Sequence, residues 1–230
     1  MTSDLIIENL DVHYGGVRAL TNLTVTVRAG TCTTLLGANG AGKTSALRGI
    51  GGLIRASGTV TLGGRRLDGK SAARRAGAGL GHVLEGRHVF PGLTVAENIA
   101  VARRRAPRET RRDPLELLPE LRSHLDRPAG GLSGGQQQML AIARAIAGGP
   151  RAVMLDEPTN GLSPKLVART IEIIAELRDL GYAVLLVEQR LEVAQELGSD
   201  VVVLRHGETA HRGSGTDPAL PDLLHSMYLS

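Results

Sequence analysis

Gly37-Ala38-Asn39-Gly40-Ala41-Gly42-Lys43-Thr44 lies directly after the strand-forming stretch Thr31–Leu36 and opens a helix-forming stretch, Lys43–Ile50. It fits the pattern G-x-x-x-x-G-K-[ST]. Glycines at this spacing let the backbone curl into a nest of inward-pointing N–H groups, and the following helix N-terminus adds partial positive charge. In that pattern Lys43 reaches the β- and γ-phosphates of a nucleotide and the Thr44 hydroxyl ligates Mg²⁺. A glycine-rich turn with an exposed lysine would account for the composition, but not for the strand before it and the helix after it.

A second anchor lies downstream, where the apolar Val153-Met154-Leu155 runs into Asp156-Glu157. A carboxylate at the C-terminal edge of a parallel strand sits where such sheets bind ligands. Asp156 is expected in the Mg²⁺ shell, leaving Glu157 to polarise an attacking water. Strands are expected at Leu5–Val12, Leu23–Val27, Thr31–Leu36, Thr59–Leu62, Leu80–Leu84, Ala152–Leu155, Ala183–Val187 and Val201–Leu204. Helices are expected at Lys43–Ile50, Val95–Arg103, Leu115–Leu125, Gln136–Ala147, Lys165–Leu180 and near Leu191–Leu197. Short apolar strands alternating with helices predict a mainly parallel sheet covered on both faces. The stretch from about Thr94 to Arg127 reads as a helical lobe, with the charged connector Arg103–Pro114 as a solvated loop.

Composition narrows the function. The chain has 230 residues, enough for one globular unit with a sizeable core. The longest apolar run, Tyr182–Val187, falls far short of the roughly 20 residues needed to cross a bilayer, so no membrane span is expected. The N-terminal MTSDLIIENL lacks a basic leader, so no secretory signal is expected. Cys32 is the only cysteine, which excludes an intramolecular disulfide and any multi-cysteine metal site and suits a reducing cytosol. A net charge of +4 could suggest nucleic acid, but with no Trp, one Phe and three Tyr there is little to stack bases on. No nucleic-acid partner is expected.

Leu132-Ser133-Gly134-Gly135-Gln136 adds a capped helix start with exposed N–H groups, a second anion site. The segment resembles the signature motif of the ATP-binding-cassette (ABC) ATPases, and its place between the phosphate loop and Asp156 fits that family. The resemblance implies an α/β fold of the P-loop NTPase type, with a mainly parallel core sheet, an antiparallel N-terminal β part and a small helical lobe. It further implies one nucleotide-binding domain over residues 1–230, with the lobe at about 94–147. The implied ATP site comprises Tyr14, Val17, Gly37, Ala38, Asn39, Gly40, Ala41, Gly42, Lys43, Thr44, Ser45 and Glu85, with Tyr14 stacking on adenine. Ser133, Gly134, Gly135 and Gln136 would serve a nucleotide bound to another subunit. Thr44, Asp156 and Glu85 are the implied Mg²⁺ ligands, and Glu157, Lys43 and Gln189 the catalytic set. Asn160-Gly161-Leu162-Ser163 occupies the D-loop position, and Gly207 marks the turn after the last long strand.

Two positions depart from the general pattern. Glu85 stands where Gln is usual; it can bind Mg²⁺ but repels phosphate when ionised. Gln189 stands where His is common; it can donate to a γ-phosphate oxygen but cannot carry a proton away. The stretch Glu85–Asn98, the Gly161–Pro164 segment and Val187-Glu188-Gln189 together resemble the LivF-type ATP-binding subunits of branched-chain amino-acid importers. Against that subgroup, the lobe near Arg104–Pro114 reads as shortened and Arg190 replaces the usual Asn. The implied cofactors are ATP and Mg²⁺. The implied partners are a second cassette, identical or paralogous, membrane permease subunits and, indirectly, a solute-binding protein. The implied location is the cytoplasmic face of a bacterial plasma membrane. A urea- or amide-type solute, or an ATP-binding switch subunit with little hydrolysis of its own, would fit the same residues.

Overall fold

The computed structural model describes residues 3–103 and 112–229. Its centre is a six-stranded sheet made of β3 (Cys32–Leu36), β6 (Leu80–Val83), β7 (Ala152–Asp156), β8 (Ala183–Glu188), β9 (Asp200–Arg205) and β10 (Glu208–Ser214). The order is β10-β9-β3-β8-β7-β6, parallel throughout except for β10, which returns antiparallel to β9. A second, antiparallel sheet has the order β2-β1-β4-β5, from β1 (Leu5–Tyr14), β2 (Val17–Val27), β4 (Ala56–Leu62) and β5 (Arg65–Arg66).

Every residue of β7 and β8 is buried, as expected of parallel strands covered on both faces. The period of two then sorts the side chains into two cores. Val153, Leu155, Val184 and Leu186 face α5 (Gly134–Ala147) and α6 (Pro164–Asp179), meeting Met139, Ile142, Ile146, Ile171, Ile174 and Leu177. Ala152, Met154, Ala183, Leu185 and Val187 face α1 (Lys43–Ile50) and the antiparallel sheet, meeting Leu47, Ile50, Leu5 and Ile7. Helix α1 is thus clamped between the two sheets, which fixes the loop at its N-terminus. A third, smaller core joins Leu36, Val201 and Val203 to α7 (Leu191–Glu196) and α8 (Leu220–Leu229) through Ala194, Leu220 and Leu224.

The remaining helices are α2 (Ala72–Gly77), α3 (Val95–Arg103) and α4 (Pro114–Leu117). The helix expected over Leu115–Leu125 is broken. Helix α4 stops at Leu118, whose φ of −125° and ψ of 60° are not helical, and a 3₁₀ helix then runs from Pro119 to His124. Pro119 is the cause: it lacks the N–H that a continuous helix needs and its ring crowds the preceding turn. Strand β2 starts six residues before the expected Leu23, because Gly15-Gly16 closes a hairpin with Tyr14 opposite Val17. Of the charged connector, residues 104–111 lie outside the described residues; Arg103 and Asp113 flank it and form an ion pair at 2.8 Å.

Candidate functional site

The C-terminal ends of the parallel strands open onto a cleft of about 580 Å³ lined by Val17, Asn39, Gly40, Gly42, Lys43, Thr44, Ser45, Glu85 and Glu157, with Arg18, Ala19, His206 and Gly207 on its rim. The glycine-rich loop links β3 to α1. Gly42, with φ of 100°, occupies the N-cap in a left-handed conformation that favours glycine. A Cβ at Gly37 would lie 2.5 Å from the Leu204 carbonyl oxygen, so the loop can pass β9 only without a side chain there. Lys43 is 4% exposed and turns its ammonium inward, donating to the carbonyls of Gly37 (2.8 Å) and Ala38 (3.0 Å). The same nitrogen is 3.3 Å from Glu157 Oε1.

Asp156 ends β7. Its Oδ1 accepts from the Thr44 hydroxyl at 3.1 Å, while Oδ2 is buried and, among the described residues, has no partner. Burial pushes this carboxyl up to about 6; the Thr44 hydrogen bond opposes that rise, and the carboxylates of Glu85 and Glu157 add to it. Among the described residues there is no cluster of three His, Cys, Asp or Glu side chains able to hold a metal. Asp156 with its orphaned oxygen and the Thr44 hydroxyl bonded to it, together with the Glu85 carboxylate on the cleft that Thr44 lines, nevertheless offer only oxygen donors, which suits Mg²⁺ supplemented by phosphate and water.

Glu157 follows with φ of 45°, left-handed backbone that bends the chain sharply away from the sheet. Its N–H donates to Val187 O at 3.0 Å, tying the end of β7 to the end of β8. Besides Lys43, two amide side chains hold its carboxylate. Gln189 Nε2 donates to both oxygens, at 2.9 and 2.8 Å, and Asn160 Nδ2 reaches Oε2 at 3.4 Å. The Gln189 amide therefore meets Glu157 itself. Tyr14 and Val17, paired across the hairpin, are 43% and 68% exposed beside the cleft, and the Ser45 hydroxyl reaches the Tyr14 hydroxyl at 3.5 Å.

Ser133, Gly134, Gly135 and Gln136 are not among the residues lining this cleft. Ser133 is exposed and caps α5 in a reciprocal pair: its hydroxyl accepts from Gln136 N–H at 3.3 Å and Gln136 Oε1 accepts from Ser133 N–H at 2.9 Å. The Gln136 amide nitrogen is further paired with His124 Nε2 at 2.9 Å. Gly135 is buried, and a Cβ there would run into the Leu166 side chain.

Residues 20–160 match the family model described as ABC transporter. This chain belongs to the ABC transporter family. It is 37% identical over 227 residues to the high-affinity branched-chain amino acid transport ATP-binding protein BraG of Pseudomonas aeruginosa, covering 95% of this chain and 97% of that one. It is 35% identical to a probable branched-chain amino acid transport ATP-binding protein, LivF, of Archaeoglobus fulgidus, covering 90% and 91%. Among solved structures, the dimeric structure of a bacterial ABC transporter cassette superposes with a TM-score of 0.80 at 24% identity, covering 91% of this chain and 98% of that one. The chain is an ATP-binding cassette of this family, an ATPase with the α/β fold and parallel core sheet that its residues predict. No helix among the described residues is long and apolar enough to cross a membrane.

Arg18, Ala19 and His206 escape the sequence reading, and Gly207 enters it only as a turn. The rim they form is stitched by Thr21 N–H to Gly207 O (2.7 Å) and Gly207 N–H to Ala41 O (3.1 Å), which join the hairpin, the phosphate loop and the end of β9. The available signal was His206-Gly207 itself, a polar turn with φ of 50° and 79° immediately after an apolar strand.

Proposed function

We propose that this cassette is the ATP-hydrolysing subunit of an importer for branched-chain amino acids, working as one half of a two-cassette sandwich. The carrying observation is that the two anion-binding elements of one chain do not share a cleft: Lys43, Thr44, Asp156 and Glu157 meet in one place, and the exposed Ser133 cap lies outside it. Each element is half of a triphosphate site, so ATP is enclosed when the Ser133–Gln136 segment of one subunit faces the cleft of the other. The second cassette is a copy of this chain or a related one.

In that reading the loop from Gly37 to Ser45 cradles the phosphates with its N–H groups, Lys43 exchanges its carbonyl partners for phosphate oxygens, and Tyr14 with Val17 supports the adenine. Bound Mg²⁺, held through Thr44, Asp156 and Glu85, would neutralise charge on the triphosphate. Glu157 takes the proton of the attacking water, and Gln189 orients its carboxylate. Closing the sandwich excludes water, which strengthens each of these charge contacts. Hydrolysis then removes the γ-phosphate that bridges the two subunits, and the pair opens. The loop around Glu85 and the helical segment at about 94–147, which we take as a lobe of a single 1–230 domain, would pass the motion to permease subunits at the cytoplasmic face of the membrane. The likeness to BraG and LivF over nearly the whole chain supports the choice of solute.

Replacing Glu157 with Gln tests this reading directly. The variant should bind Mg·ATP, lose turnover and elute as a dimer in ATP. A variant that turns over like the parent would remove Glu157 from the base role. A purified complex with its permease whose ATPase responds to a binding protein loaded with leucine, but not with urea, would support the solute.

A further inference from the structure

Glu188 is the one charged residue of β8 and is 2% exposed, although the five residues before it are all apolar and buried. Burying a carboxylate at the end of such a strand is costly unless its lone pairs are met. They are met by two loops. The Thr159 hydroxyl donates to Oε1 at 2.7 Å and the Thr159 N–H to the same oxygen at 3.4 Å, while the Gln189 N–H donates to Oε2 at 3.3 Å. Burial still holds this carboxyl above its ordinary range, against the pull of those three donors.

Both loops lead to the same place. Gln189, whose backbone Glu188 fixes, holds both oxygens of Glu157 with its side-chain amide. Asn160, next to the Thr159 that Glu188 fixes, holds Glu157 Oε2. We propose that Glu188 is a positioning residue for hydrolysis, a buried acceptor that locks the Thr159–Asn160 turn and Gln189 into one unit and so sets the direction of the Glu157 carboxylate. The proposal rests on the reading of Glu157 as the general base. Glu188 is buried and is not among the residues lining the cleft; it acts through its two neighbours. An apolar residue at this position would continue the strand but leave the Thr159 hydroxyl and the Gln189 N–H without their acceptor. The isosteric amide is a sharper perturbation. Glu188→Gln can still accept from Thr159 through its oxygen, but it turns an NH₂ toward the Gln189 N–H, donor against donor.

The test is a double-mutant cycle on the full chain, reading ATP turnover, Mg·ATP affinity and melting temperature. Glu188→Gln should lower kcat by roughly tenfold with ATP affinity within about twofold of the parent, the pattern of a misaimed base. Thr159→Val, which deletes the 2.7 Å hydrogen bond, should lower kcat by a similar factor, and Thr159→Ser should recover most of that loss. The double variant should be no slower than the slower single one, because both act through one unit. A residue that only stabilised the fold would instead lower melting temperature, affinity and turnover together, and the losses would multiply. Unchanged turnover in Glu188→Gln, or losses that multiply, would overturn the proposal. If Glu188→Gln does not fold, the Thr159→Val and Thr159→Ser pair decides: no loss in the first, or no recovery in the second, is equally fatal. Glu157→Gln run alongside separates the two failures. Turnover surviving in that variant removes the base reading and this proposal with it, whereas an inactive Glu157→Gln beside a fully active Glu188→Gln removes this proposal alone.

Discussion

Asp156 carries a burden that can be weighed. Its carboxyl sits at the buried end of β7 with one oxygen hydrogen-bonded to Thr44 and the other unmatched, and burial pushes it from 3.8 up to about 6. Moving a carboxyl by that amount corresponds to ~3 kcal/mol of preference for the neutral form, an upper value because water at the cleft mouth screens part of it. The folded protein therefore holds this proton more tightly than the unfolded chain does. The stabilisation from that proton is complete below about 3.8, declines as pH rises and is gone above about 6. Asp156→Asn removes the charge at nearly constant shape. Its oxygen can keep the Thr44 hydrogen bond, but its NH₂ replaces the orphan oxygen and is left without an acceptor, which costs ~1–2 kcal/mol.

The balance at pH 8 in EDTA is a gain of ~1–2 kcal/mol for the variant, which for a chain of this size raises the melting temperature by roughly 2–8 °C. At pH 4.5 Asp156 is already neutral in the folded parent, so the gain vanishes and the variant is equal or less stable. Adding Mg·ATP should reverse the order at pH 8, because ligand that binds the folded parent stabilises it by mass action and the variant lacks a carboxylate proposed to hold Mg²⁺. Melting curves by circular dichroism at the two pH values, with EDTA or with Mg·ATP, measure all three terms. A variant that melts below the parent at pH 8 in EDTA, or a difference that stays the same at both pH values, would refute the account of Asp156 as a strained, unmatched carboxylate.

Two further outcomes follow from the packing. Gly37→Ala places a methyl group 2.5 Å from the Leu204 carbonyl and 2.9 Å from Ala41 Cβ, so the phosphate loop must shift off the end of β9; Mg·ATP affinity should fall at least about tenfold while far-UV circular dichroism stays that of the parent. Leu186→Ala empties a fully buried site between β8 and the α5–α6 layer and should cost ~2–5 kcal/mol in urea unfolding, with nucleotide affinity retained at temperatures where the variant is folded.

The elements legible in the sequence are those whose burial leaves a pattern. Strands β7 and β8 are continuous apolar runs because both faces are covered, and α6 shows Val167, Ile171, Ile174 and Leu177 on one face. Strand β10 escaped because it is an edge: its residues alternate between exposed and half-buried, and Glu208–Ser214 offers no apolar signal to read. Helix α2 escaped because its only buried residue is Arg75, whose guanidinium donates to the carbonyls of Gly49, Ile50 and Lys70; it is held by polar contacts with the end of α1, and propensity counts do not register those. The break at Leu118 was readable, since Pro119 forbids a continuous helix there, and the apolar spacing of Leu115, Leu118 and Leu121 masked it.

The candidate site divides along a similar line. Motif spacing names Lys43, Thr44, Asp156 and Glu157, but it is silent on strand order, and strand order decides which of them meet. Because β8 lies between β3 and β7, the residues that follow it project between the phosphate loop and Glu157. Register then sets the level: Leu36 pairs with Glu188 and Asp156 with Val187, so Gly37, Glu157 and Gln189 leave the sheet side by side. Adjacent strands stand about 4.8 Å apart, a spacing that puts the Gln189 amide within reach of Glu157 and leaves Glu188 to face Thr159. Neighbouring β9 delivers His206 and Gly207 to the opposite rim by the same rule. A one-residue slip of β8 would reverse every side chain on it and put either Val187 or Gln189 in place of Glu188 at the loop junction. The alternation of Ala183, Leu185 and Val187 against Val184 and Leu186 forbids that slip, because each set fills a different core. The grip on Glu157 is therefore set by packing on both faces of the sheet, well away from the residues that make the contact.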